Sequence, residues 1–244
     1  MTTYIINLSD IIDVQLQNSI IAFAELAKES GVTSYDCCGG LLSKTFGTIP
    51  LIKAALLYYN STINEYKLGK MTTPEFIKTC LNVVFPRPAS YENDPKGWDN
   101  KLIAAWNKML KINLTKCSDF FNYVKNHSND RYILITNSND AQVTYVIQEI
   151  KKQLGLDIKV VPPQGLDLKN NMVQLVSSHT AGKFKTDAMI KDIIAELGGS
   201  NDIKVFTKYD DDITYCKGLN IDSTLIGEGF DYNTFSQTPK VKLN

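Results

Sequence analysis

A chain of 244 residues suffices for one domain with a large core, or for a core domain carrying an inserted subdomain. Apolar residues make up 43% and charged residues 21%, the balance of an ordinary globular protein, which excludes general disorder. Lys plus Arg and Asp plus Glu each total 26, and no long run of one sign occurs, so non-specific binding to nucleic acid or to an anionic membrane has no electrostatic basis.

The chain opens on a short apolar run, Tyr4 to Ile6, that ends in polar residues and predicts a buried strand followed by a loop. Residues 1–7 carry no basic leader and no apolar stretch reaches the length of a membrane span, so a cytoplasmic location is expected, although signal-less export leaves no mark in a sequence. From about Val14 to Val84 the apolar residues recur at helical spacing, as in Leu16, Ile20, Phe23, Ala24 and Ala27. Thr72-Thr73-Pro74 then reads as a helix start, with a hydroxyl N-cap and proline in the first turn.

Residues 85–97 hold the densest cluster of breakers in the chain and are read as the return from a helical insert to the core. Beyond them helices and strands alternate. Helices are predicted near 99–110, 117–126, 141–154 and 187–197, and strands at 132–136, 158–161 and 203–207. Alternation of this kind implies an α/β fold with a doubly wound parallel sheet, which binds ligands outside the carboxyl ends of its strands. Asn7, Thr136 and Thr207 each close a predicted strand and should meet in that crevice.

Five cysteines, Cys37, Cys38, Cys80, Cys117 and Cys216, are odd in number and lack metal-ligand spacing, as expected of reduced thiols. Cys37 and Cys38 lie in a turn-like stretch. Neither His127 nor His179 has a claim to pair with them, so buried thiols are favoured over a thiol nucleophile.

Four stretches stand in a suggestive order: Tyr4 to Asp10, Ile133 to Ser138, Gly182 to Asp187, and Val205 to Ile213. Together they resemble the catalytic motifs of the haloacid dehalogenase-like (HAD) hydrolase superfamily, and the resemblance covers nearly the whole chain. It implies a Rossmann-like core at 1–14 and 98–244 with an all-helical cap at 15–97. In that family the first strand ends in Asp-x-Asp, whose carboxylates serve as nucleophile and general acid. A hydroxyl and a lysine orient the phosphoryl group, and a fourth strand ends in Gly-Asp-x-x-x-Asp to hold magnesium.

In this register Asn7 takes the nucleophile position, Ser9 that of the general acid, and Lys208 that of the leading magnesium carboxylate. Thr136 with Asn137 matches the second motif, Lys185 the third, and Asp212 alone of the acids is retained. Asp212, Lys185 and Lys208 leave one net positive charge where the family's acids leave a negative one. Lys208 is accordingly expected in the space of the cation.

Two functions follow from the resemblance. One is an inactive relative that binds a small phosphorylated or carboxylate ligand at Asn7, Ser9, Thr136, Asn137, Lys185 and Lys208, or a protein partner through the cap, with no cofactor and Asp212 without metal. The other is a working hydrolase of phosphate esters, using magnesium and a register slipped to Asp10 or Asp13. The plainer reading of Asn7, Ser9 and Lys208 is a decayed site whose polar groups only cap strand ends.

Overall fold

The computed structural model describes residues 1–14, 18, 22, 25, 61–76, 79, 92–108, 110–112, 114–168, 173–185, 189–198, 202–207 and 209–226. The strands are β1 (Thr3–Asn7), β2 (Ile12–Val14), β3 (Leu110–Ile112), β4 (Arg131–Thr136), β5 (Lys159–Val160), β6 (Gln174–Ser177), β7 (Ile203–Thr207) and β8 (Asp222–Leu225). The helices are α1 (Pro95–Asn107), α2 (Leu114–Asn126), α3 (Asp140–Leu154), α4 (Ser178–Ala181), α5 (Ile190–Glu196) and α6 (Asp210–Gly218). Residues 61–67 and 73–76 of the insert are also helical.

Six strands form one sheet in the order β5-β6-β4-β1-β7-β8, and every pairing in it is parallel. The α/β class expected from the alternating pattern is therefore the class observed. All five residues of β1 and all six of β4 are buried, because a central parallel strand is covered on both faces. Period-two alternation sends Tyr4 and Ile6 into a core with Phe120 and Phe121 of α2 and Val143, Val146 and Ile150 of α3. It sends Ile5 into a second core with Ile190 and Ile193 of α5 and Cys216 of α6. Helices thus cover both faces of the sheet.

The chain turns sharply on leaving β1. A single turn of 3-10 helix, Leu8–Asp10, leads into β2, which pairs antiparallel with β3, Val14 opposite Leu110. The chain between Val14 and Leu110 links the two strands of this ribbon. The helix expected at 99–110 is displaced: α1 runs from Pro95 to Asn107, and Leu110 belongs to β3. Asp94 draws the start forward, its Oδ1 accepting the backbone N–H of Gly97 at 2.9 Å, with Pro95 suited to the first turn.

The pattern did not indicate β6 or β8. Gln174 opens β6, fully buried, and its carboxamide accepts from Asp167 N–H at 2.7 Å and donates to Asp167 C=O at 2.9 Å. A polar residue is tolerated there because both ends of its amide are satisfied. Strand β8, Asp-Ser-Thr-Leu, is an exposed edge whose polar composition hides it. Among the described residues Cys117 and Cys216 are buried free thiols, and no helix is long and apolar enough to cross a membrane.

Candidate functional site

Three adjacent strands, β4, β1 and β7, end on Thr136, Asn7 and Thr207, so the geometry brings these residues to one edge of the sheet. Each is buried, at 6%, 3% and 1% exposure. Asn7 also caps the turn that follows it. Its Oδ1 accepts the backbone N–H of Ser9 at 3.3 Å and the Ser9 hydroxyl at 2.9 Å. With the oxygen held there, the amide orientation is set, and Asn7 Nδ2 is a buried donor with no hydrogen-bond partner among the described residues.

Lys185 arrives from the loop after α4. Its backbone N–H donates to Asn137 Oδ1 at 2.9 Å, which pins the chain beside the β4 end. Its ammonium donates to Asp212 Oδ2 at 3.1 Å, and the Thr207 hydroxyl donates to the same oxygen at 2.6 Å. Asp212 lies in the first turn of α6, where a carboxylate is favoured by the helix dipole. The Lys185 side chain is 12% exposed and that of Asp212 3%, so the pair is shielded from water and screened little by salt.

Tyr209 completes the cluster. Its backbone N–H donates to the Thr207 hydroxyl at 3.2 Å, its phenol oxygen lies 3.4 Å from Ser9 Oγ, and its ring centre is 4.2 Å from the Lys185 ammonium. The side chain therefore spans from the β1 turn to the lysine. Nothing in the pattern of the sequence singled it out beyond an aromatic residue just past a strand end. Thr136 turns toward Ser138, hydroxyl to hydroxyl at 2.8 Å.

Of the residues expected in the crevice, Asn7, Ser9, Thr136, Asn137, Lys185 and Asp212 all gather at these strand ends, while Lys208, like Cys37 and Cys38, lies outside the described residues. Asp10 closes the 3-10 turn and is buried, and Asp13 sits in β2 opposite Lys111. Both stand beyond the carboxyl end of β1. Asp210 and Asp211 are exposed on the first turn of α6.

Part of the insert reaches the same edge. The Ser178 hydroxyl donates to the Lys67 carbonyl at 2.7 Å, and Thr73 donates to Asp140 Oδ1 at 2.9 Å while Tyr66 meets Thr73 at 2.7 Å. Burial holds the Lys67 ammonium below the usual lysine range.

A magnesium ion requires near-octahedral oxygen ligands with one or more carboxylates free to bind it. Among the described residues no three His, Cys, Asp or Glu side chains converge, and the Asp212 oxygen already serves an ammonium and a hydroxyl. The described donor set offers the ion the Asp212 carboxylate at these strand ends, one oxygen of which is taken by Lys185 and Thr207.

No protein-family profile and no curated protein sequence matches the chain. Solved structures do. A HAD family enzyme of Bacteroides thetaiotaomicron superposes with a TM-score of 0.65 at 14% identity, over 95% of this chain and 96% of that one. Its magnesium complex gives 0.63 at 14% identity, over 97% and 98%, and its complex with magnesium and inorganic phosphate gives 0.59 at 15%, over 95% and 97%. A predicted HAD-like family hydrolase of Porphyromonas gingivalis gives 0.54 at 15% identity, over 97% and 95%. With its parallel sheet and its strand ends arranged in this way, the chain has the fold of the HAD-like hydrolases.

Proposed function

We propose that the crevice at the ends of β1, β4 and β7 binds a small oxyanion, a phosphate or carboxylate group, without magnesium and without hydrolysing it. The observation that carries this reading is Asn7, a carboxamide at the end of the central strand, with its oxygen turned to Ser9 and its nitrogen left as a donor. Covalent phosphoryl transfer in this fold needs a carboxylate nucleophile, and a carboxamide is not one. Serine is a poor general acid near neutral pH.

What is present instead suits binding. Lys185 has three N–H donors and gives one to Asp212, which leaves two for a ligand. Asn7 Nδ2 adds neutral donors, and charge-assisted bonds from the ammonium would supply most of the affinity. Lys208, next to Tyr209 in sequence, is proposed to add a second positive charge. The hydrolase reading would need a carboxylate at the end of β1, and Asp10 and Asp13 are both past it.

Calorimetry with inorganic phosphate in EDTA tests this directly. Binding of the same strength with and without added magnesium is expected, along with no turnover of an aryl phosphate. Binding that appears only with magnesium, or measurable hydrolysis, would overturn the proposal.

A further inference from the structure

Resting on that anion reading, we propose that Thr207 is a positioning residue for the site: its hydroxyl engages the Asp212 carboxylate and so loosens the hold of Asp212 on the Lys185 ammonium, which holds the anion. In the register of the fourth motif Thr207 stands where the resemblance has glycine, a residue with no hydroxyl to give.

The direction of each bond follows from the donors present. Thr207 Oγ1 accepts the backbone N–H of Tyr209 at 3.2 Å, and its one hydrogen goes to Asp212 Oδ2 at 2.6 Å, since a carboxylate can only accept. Regular structure places both partners. Thr207 closes β7 opposite Leu225 of β8, its carbonyl taking the Ile226 N–H at 2.7 Å, and Asp212 sits in the first turn of α6. The hydroxyl is therefore carried by the sheet and not by a loop.

The two donors on that oxygen are unequal. The hydroxyl, at 2.6 Å, is within the range of a charge-assisted bond, whereas the ammonium, at 3.1 Å, is beyond the about 2.9 Å at which such a bond from nitrogen ends. Thr207 thus holds the carboxylate more closely than Lys185 does. At 3% and 12% side-chain exposure little water screens the pair, so a change in one bond is felt in the other. A phosphate or carboxylate ligand competes with Asp212 for the ammonium. Thr207 weakens that competitor.

The test measures the affinity for inorganic phosphate, in EDTA, and the NMR signal of the Lys185 ammonium, in the wild-type chain, in Thr207→Val and in Thr207→Ser. Valine keeps the shape and loses the hydroxyl, so Lys185 should close on Asp212, its ammonium signal should shift, and phosphate should bind about ten-fold more weakly, the scale of one hydrogen bond to a charged group. Thr207→Ser, which restores the hydroxyl, should return both readings toward the wild type. Thr207→Ala takes the place of Thr207→Val if a urea unfolding curve shows that the valine variant does not fold. If the wild type binds phosphate and the variant without a hydroxyl binds it equally or more tightly, or Thr207→Ser binds it no better than that variant, the positioning role is wrong and the anion site stands. A Lys185 ammonium signal that does not move when the hydroxyl is lost also overturns the role. If neither the wild type nor any variant binds phosphate, the anion reading fails and the role of Thr207 with it.

Discussion

Asp212 is the residue on which the site's electrostatics turn. One of its oxygens takes both the Lys185 ammonium and the Thr207 hydroxyl, and at 3% exposure it does so almost out of water. Removing one partner of such a pair leaves the other charge uncompensated, which costs more than the pair itself contributes. Asp212→Asn should therefore lower the unfolding free energy by about 3 kcal/mol, measured by urea denaturation; a loss under about 1 kcal/mol would mean that the pair behaves as an exposed one. At this scale much of the site was legible. Asn7, Thr136 and Thr207 end apolar runs, and a run of that kind announces where a buried strand stops. Tyr209 was not legible, because its place over Lys185 depends on a rotamer and on two segments distant in sequence.

The elements divide in the same way. Strands β1, β4 and β7 and helix α3 follow from local periodicity, whereas β6 carries Gln174 at a position where its amide is satisfied only by the loop at Asp167. The ribbon of β2 and β3 is too short, at three residues each, to show a period. The turn at Gly69 ties the insert to the core by a contact equally invisible in the sequence. Gly69 has φ +70°, and a Cβ added there would lie 2.7 Å from the carbonyl oxygen of His179 in α4. Gly69→Ala should cost roughly 1 to 2 kcal/mol from the left-handed backbone alone, with more from the clash. Hydrogen exchange should then quicken at residues 66–73, where the bonds to Ser178 and Asp140 hold the wild-type turn. Unchanged exchange and unchanged stability would show that the turn does not press on α4.

For the molecule as a whole, both faces of the sheet bury groups that ionise at high pH. Burial, with the Asp212 charge nearby as a lesser cause, pushes the Cys216 thiol up to about 11 from 9.0. Burial also raises Tyr4, Tyr66, Tyr123 and Tyr132. Each keeps its proton in the folded state at a pH where the unfolded chain has lost it, so the unfolded state binds fewer protons and stability falls as pH rises. For Cys216 the stability is whole below pH 9 and is lost between 9 and 11, on the order of 2 to 3 kcal/mol. Lys67 opposes this, since its lowered value makes stability rise with pH below the usual lysine range, but the raised tyrosines and Cys216 outnumber it. Urea midpoints should drop steadily from pH 8.5 to 10.5, and Cys216→Ala should flatten the early part of that slope; a flat profile in the wild type would refute the account.

The sequence by itself determined the α/β class, the central strands and the residues at their carboxyl ends, because burial on both faces of a parallel strand writes a continuous apolar run into a few neighbouring residues. Tertiary structure alone decided that β6 lies beside β4, that β2 pairs with β3, and that Lys185 meets Asp212 beneath Tyr209. It also decided that the amide oxygen of Asn7 is the atom turned to Ser9. These outcomes rest on side-chain directions and on pairings between distant segments, and no local period of the chain encodes either.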